Sequence, residues 1–200
     1  MRYNPDRHRR RSIRLRGYDY SQPGAYFITI CTQDRACLFG EVMDGEMRVN
    51  QMGDIIRQCW SAIPEHFPYA TLDEFVVMPN HVHGIIVIVG TPNVGATHAS
   101  PLRASPLPPS YPPSRPHGPQ RQSIPSIVGS FKSAATKRID QYLAAPGATV
   151  WQRNYYEHII RDQDSWRRIR QYIAENPARW GFDRENPFAV SPEPEDAWVE

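Results

Sequence analysis

Short apolar runs along this chain switch between two periods. Ala25-Tyr26-Phe27-Ile28-Thr29-Ile30-Cys31-Thr32 is short and rich in β-branched and aromatic residues, which predicts a strand. Residues 38–50 set two short apolar runs around Asp44-Gly45, the pattern of a hairpin turn. From Met52 to about His66 the apolar positions Ile55, Ile56, Cys59, Trp60 and Ile63 recur at helical spacing, and Pro64 and Pro68 limit the far end. Leu72 to Met78 and Val82 to Val89 are two further runs separated by Pro79-Asn80. They read as central antiparallel strands joined by a tight turn. The second is apolar at nearly every position after Gly84, as a strand covered on both faces must be.

Residues 91–122 break the pattern. Nine prolines fall between Pro92 and Pro119 among Ser, Gly and Ala, a composition that cannot bury enough apolar surface to offset its ordering entropy. The stretch is expected to be a flexible insertion within one domain, because the residues C-terminal to it cannot build a core alone. It is also a possible ligand for a partner that reads polyproline. A helix is expected from Pro125, with Ser123 or Ile124 near its start and an apolar stripe of Ile127, Val128, Phe131, Ala134, Ala135 and Ile139. Pro146-Gly147 closes it. Val150 to Ile160 is a long strand candidate. Asp162 to Glu175 is an amphipathic helix with Asp162 or Asp164 as cap and Trp166, Ile169 and Ile173 inward. An acidic tail, 183–200, is expected to trail along the surface. The order of elements predicts an α+β fold, a ferredoxin-like antiparallel sheet with helices packed on one face. The domain would span 25–182, preceded by an arm over 1–24.

Charge changes the picture only through its distribution. The net charge is +2, yet residues 7–16 hold six arginines (Arg7, Arg9, Arg10, Arg11, Arg14 and Arg16) and no acid, which leaves −4 on the rest. Such a patch attracts phosphate backbones or anionic membranes, or is simply a solvated basic tail. Three cysteines without CxxC spacing read as reduced thiols. With a polar, Arg-rich start and no long apolar run, the expectation is a soluble cytoplasmic protein.

Two positions carry candidate chemistry. His81-Val82-His83 opens the most apolar strand, and side chains two apart on a strand share a face, so both imidazoles project together as a possible metal pair. Two partly exposed strand histidines are the ordinary alternative. On the last helix, Tyr172 and Asn176 are four apart and share a face, with Pro177 ending the helix at about Asn176. Tyr172 offers a phenol able to attack phosphorus, or else packs at the core edge. Asn176 offers an amide to a site, or caps the helix.

Four segments together resemble one family. They are Tyr26-Phe27-Ile28-Thr29-Ile30-Cys31-Thr32, Val77-Met78-Pro79-Asn80-His81-Val82-His83-Gly84, Trp151-Gln152-Arg153-Asn154-Tyr155-Tyr156-Glu157-His158 and Tyr172-Ile173-Ala174-Glu175-Asn176-Pro177. In this order they look like the IS200-like tyrosine transposases, most of all the REP-associated branch, over about residues 12 to 182. The resemblance implies an HUH endonuclease fold in which His81, His83 and Asn176 hold Mg²⁺ or Mn²⁺ and Tyr172 is the nucleophile. Insertion-sequence members place Gln four residues after the tyrosine, whereas the shorter Asn176 here is similar to the REP-associated branch. The implied activity is cleavage and rejoining of single-stranded or hairpin DNA through a 5′-phosphotyrosine, with no nucleotide cofactor. No membrane partner is expected, and the chain would act as monomer or homodimer, nucleoid-associated when bound to DNA. Arg9, Arg10, Arg11, Arg14 and Arg16 of the arm, with Lys132, Lys137 and Arg138, are candidates to track the DNA backbone. Tyr155 or Tyr156 is a rival nucleophile. A non-catalytic repeat-DNA binder and a phosphodiesterase using water are rival activities.

Overall fold

Most apolar runs fold close to where their pattern puts them, and the departures have local causes. The structure, a computed structural model, describes residues 18–89 and 122–189. Strand β1 is Gly24–Cys31, and the hairpin forms as β2 (Gly40–Met43) and β3 (Glu46–Val49). Asp44 and Gly45 between them both take positive φ, 54° and 78°, the conformation that joins two twisted strands in two residues. Helix α1, Gln51–Ser61, is capped by Asn50, whose side chain accepts from the Gly53 amide at 3.0 Å. One short turn later, α2 is Ile63–His66.

Strands β4 (Ala70–Val77) and β5 (His81–Ile88) come next, then α3 (Ile124–Leu143), β6 (Tyr156–Ile160) and α4 (Gln163–Glu175). Four strands pair antiparallel in the order β4-β5-β1-β6. This is the ferredoxin-like sheet expected from the order of elements. Residues 1–17 of the arm, the Pro-rich insertion up to residue 121 and the tail beyond 189 lie outside the described residues, whereas the end of the arm packs onto the fold: Tyr20 is buried and its carbonyl accepts from the Ile124 amide at 3.1 Å.

The central strands are buried on both faces. Tyr26, Ile28 and Ile30 of β1, with Val82 and Ile86 of β5, meet Ile56 and Trp60 of α1 and Ile127 and Phe131 of α3. Gly84 lets this layer close: a Cβ there would stand 2.4 Å from Trp60 Cζ2, and the indole stacks on Phe75 at 4.5 Å. Whereas α1 and α3 cover one face as expected, the final helix covers the other. Ala25, Phe27, Ile85 and Ile160 pack there beneath Ile169 and Ile173 of α4. An irregularity between Leu72 and Phe75 accompanies a clamp on that helix: Asp73 accepts from Trp166 Nε1 at 2.5 Å and pairs with Arg170 at 3.2 Å.

Two expectations are corrected. The strand expected over 150–160 is confined to Tyr156–Ile160, because the Lys132 ammonium gathers the carbonyls of Gln152 (2.9 Å), Asn154 (3.0 Å) and Arg153 (3.5 Å), which a pleated ladder would point elsewhere. Only Trp151 makes a bridge, to Thr32. The tail does not begin by trailing along the surface. Asp183 and Asn186 are buried, and the Glu185 carbonyl accepts from Asn80 Nδ2 at 2.6 Å.

Candidate active site

The alternation of β5 sends His81 and His83 to the α4 face and Val82 into the α1/α3 core. Both imidazoles are enclosed, and their Nε2 atoms stand 3.0 Å apart. Asn80 orients the first. Its amide nitrogen donates to the carbonyls of Arg35 (3.1 Å) and Glu185 (2.6 Å), so its Oδ1 accepts from His81 Nδ1 at 2.8 Å. His81 therefore holds its proton on Nδ1 and turns the Nε2 lone pair inward. Thr29 faces His83 across the strands, and its hydroxyl meets His83 Nδ1 at 2.8 Å. With Thr29 accepting, both Nε2 lone pairs meet, an arrangement that a cation relieves.

Burial pushes His81 down to about 3, and the nearby Arg35 charge adds to the shift. His83 is held well below its ordinary value, first by burial and then by His81, against the opposing pull of Asp183. Both rings are neutral at neutral pH, the form that ligates metals.

One carboxylate joins the pair. Asp183 Oδ2 lies 3.6 Å from His81 Nε2, and one ligand atom from each of His81, His83 and Asp183 falls within 4.8 Å of the others. Asp183 Oδ2 and Asn176 Oδ1 are both buried without a hydrogen-bond partner, each at a cost of about 1–3 kcal/mol if it stays so. Two neutral imidazole nitrogens and hard oxygens suit a divalent cation such as Mn²⁺ or Mg²⁺. A 3.0 Å nitrogen pair also matches the edge of an octahedron whose ligands sit about 2.1 Å from its centre.

Tyr172 stands beside the pair. Its ring centroid is 5.3 Å from that of His83 and 6.2 Å from that of Phe27, with the Arg179 guanidinium 6.0 Å above it. Asn176 ends the same helix, 1% exposed. Of the rival tyrosines, Tyr156 shares this face, 6.3 Å from Phe27, whereas Tyr155 packs in the α1/α3 core layer with Lys132 over its ring at 5.5 Å.

The candidate backbone-tracking cations are not brought to this site. Arg9, Arg10, Arg11, Arg14 and Arg16 lie outside the described residues. Lys132, Lys137 and Arg138 ride α3, on the opposite face of the sheet; Lys132 is held by the three carbonyls and Arg138 bonds Gln58, while Lys137 is exposed. Sequence reasoning missed Asn80, Thr29 and Asp183. Asn80 was within reach as the residue that must fill the turn before His81. Nothing in the spacing of Asp183 marked it.

No family model matches the chain. An uncharacterised protein of Haemophilus influenzae is 43% identical over 182 residues, covering 91% of this chain and 96% of that protein, and the chain belongs to its family. A candidate REP-associated tyrosine transposase of the same organism is 23% identical over 164 residues, 82% of this chain and 76% of that protein. A solved REP-associated tyrosine transposase, bound to a REP hairpin, superposes with a TM-score of 0.53 at 18% identity, covering 86% of this chain and 77% of that one. The chain is a relative of the REP-associated tyrosine transposases. Homology to these transposases supports a transposase-family role, and the mixed sheet-and-helix architecture is theirs. Among the described residues no helix is long and apolar enough to cross a membrane.

Proposed function

We propose that this transposase relative is a metal-dependent single-strand DNA endonuclease and transesterase that acts through a 5′-phosphotyrosine. The observation that carries the reading is the meeting of three side chains from two distant elements: Tyr172 on α4 lies 5.3 Å, ring to ring, from His83, and His83 touches His81. His81 and His83 would hold Mg²⁺ or Mn²⁺, with Asn176 Oδ1 as the third donor and the Asp183 carboxylate as a further one. The bound ion supplies Lewis-acid polarisation of the scissile phosphate.

The chain's own residues do the rest. Asn80 and Thr29 aim the two imidazoles, which burial keeps neutral. Phe27 and α4 exclude water from one side of the pair. Tyr172 Oη attacks phosphorus, the 3′-oxygen leaves, and a phosphotyrosyl ester replaces the phosphodiester. One ester is exchanged for another, so a second 3′-hydroxyl can reverse the step. Arg179, over the tyrosine ring, is placed to meet phosphate charge. Single-stranded or hairpin DNA is the proposed substrate, because the solved relative is bound to a REP hairpin. The basic arm, 1–24, and Lys137 would add backbone contacts, and the chain would work in the cytoplasm on the nucleoid.

Incubation of the purified protein with an end-labelled hairpin oligonucleotide and Mn²⁺ tests this. A covalent adduct that survives denaturing electrophoresis and vanishes in Tyr172→Phe is expected. Cleavage without adduct indicates attack by water and overturns the tyrosine mechanism, and binding without cleavage overturns the nuclease reading.

A further inference from the structure

The segment that carries Asp183 inverts the usual order of polarity. Asp183 and Asn186 are 4% and 9% exposed, while the neighbouring Phe182 and Phe188 are 58% and 81% exposed, the highest among the exposed large apolar side chains of the described residues. Burying a phenylalanine stabilises a fold by roughly 1.5–3 kcal/mol, so a loop that buries its acid and amide and turns out its rings is built for something other than its own stability.

The presentation is firm. Asn186 Nδ2 donates to the Trp180 carbonyl at 2.8 Å, the Phe188 amide to Asn186 Oδ1 at 2.9 Å, and the Glu185 amide to Asp183 Oδ1 at 2.6 Å. Glu185 moors the loop to the sheet end through Asn80 (2.6 Å) and Arg35 (2.9 Å). The same loop borders the histidine pair. The Trp180 ring lies 6.0 Å from that of His81, and Asp183 Oδ2 lies 3.6 Å from His81 Nε2. Phe182 and Phe188 therefore flank, in sequence, the residue that touches the candidate metal site.

We propose that the Trp180–Phe188 loop is a stacking platform for unpaired nucleobases next to the scissile phosphate, with Phe182 and Phe188 as its rings. This rests on the nuclease reading for the position of the phosphate. An apolar protein partner fits less well, because two rings separated by buried polar residues make no continuous apolar patch. Unstacked bases suit separate rings, since every base offers a π-face. The charge also matches a nucleic acid, with Arg35, Arg179 and Arg184 around the loop and its second carboxylate, the largely buried Glu185, already paired to Arg35 and Arg184.

The test measures the affinity of full-length protein, in a Tyr172→Phe background that prevents cleavage, for a fluorescent single-stranded oligonucleotide and for a blunt duplex of the same sequence. Phe182→Ala and Phe188→Ala should each weaken single-strand binding about tenfold and leave duplex binding unchanged. Phe→Trp at either position should restore binding and Phe→Leu should not, which separates stacking from simple apolar contact and controls for folding. Equal loss with both DNAs, rescue by Leu, or unaltered single-strand binding in the double Ala variant would overturn the platform. Adduct formation is followed in the same substitutions with Tyr172 intact. A normal wild-type adduct with ring-independent binding defeats the platform alone. Ring-dependent binding with no wild-type adduct upholds the platform and defeats the nuclease.

Discussion

At the scale of single residues, the site is decided by who holds whose proton. The Asn80 amide is committed to two carbonyls on its nitrogen side, so its oxygen can only accept, and His81 must donate from Nδ1. Asn80→Ala removes that constraint and leaves a buried imidazole N–H and two carbonyls unpaired. Mn²⁺ affinity measured by calorimetry should fall roughly 10–100-fold; unchanged affinity would show that the amide does not set the ring. Protonation gives a second check. In the unfolded chain His81 and His83 return to their ordinary 6.5, while burial depresses both in the fold, His81 to about 3. The unfolded state thus binds more protons below pH 6.5. The stability contributed by the neutral rings is complete above that value and is lost as pH falls toward 3. Urea denaturation of metal-free protein should show this decline, and His83→Gln should make it shallower.

At the scale of elements, the strand period made the histidine pair legible. Residues 81 and 83 must share a face once the run is a strand, and the helix period did the same for Tyr172 and Asn176. The helix start was legible only to within two acids, Asp162 or Asp164, and it is Asp162 that caps, accepting from the Ser165 amide at 2.7 Å. The strand over 150–160 misled because its side-chain pattern is strand-like while its backbone is claimed by Lys132, a tertiary contact no local pattern encodes. Asp183 was hidden for the same kind of reason: it reaches His81 only after the chain turns back beyond Pro177. Gly84 was legible as a glycine but not as the seat of Trp60. Gly84→Ala should destabilise the fold by about 1–3 kcal/mol in chemical denaturation, because the added carbon meets a stacked indole that cannot move aside. Full retention of stability would mean that Trp60 does not rest there.

At the scale of the whole molecule, the sheet divides the labour between its faces. One carries most of the core through α1 and α3, and the other carries a smaller core that α4 closes over the histidines. The site therefore sits against the less heavily packed face, where a bound ion would join β5 to the chain beyond α4. Mn²⁺ should raise the melting temperature by linkage, worth about 2.7 kcal/mol at a hundredfold excess over Kd, and a chelator should reverse it. His81→Ala should abolish the shift.

The proposed chemistry needs a phenol and a pair of imidazoles acting at one phosphate. Peptide mapping by mass spectrometry of the covalent protein–DNA adduct, formed with Mn²⁺ and a hairpin oligonucleotide, reads this directly. A nucleotide phosphoester on Tyr172 is expected; an ester on Tyr155 or Tyr156, or on no tyrosine at all, would overturn the Tyr172 mechanism.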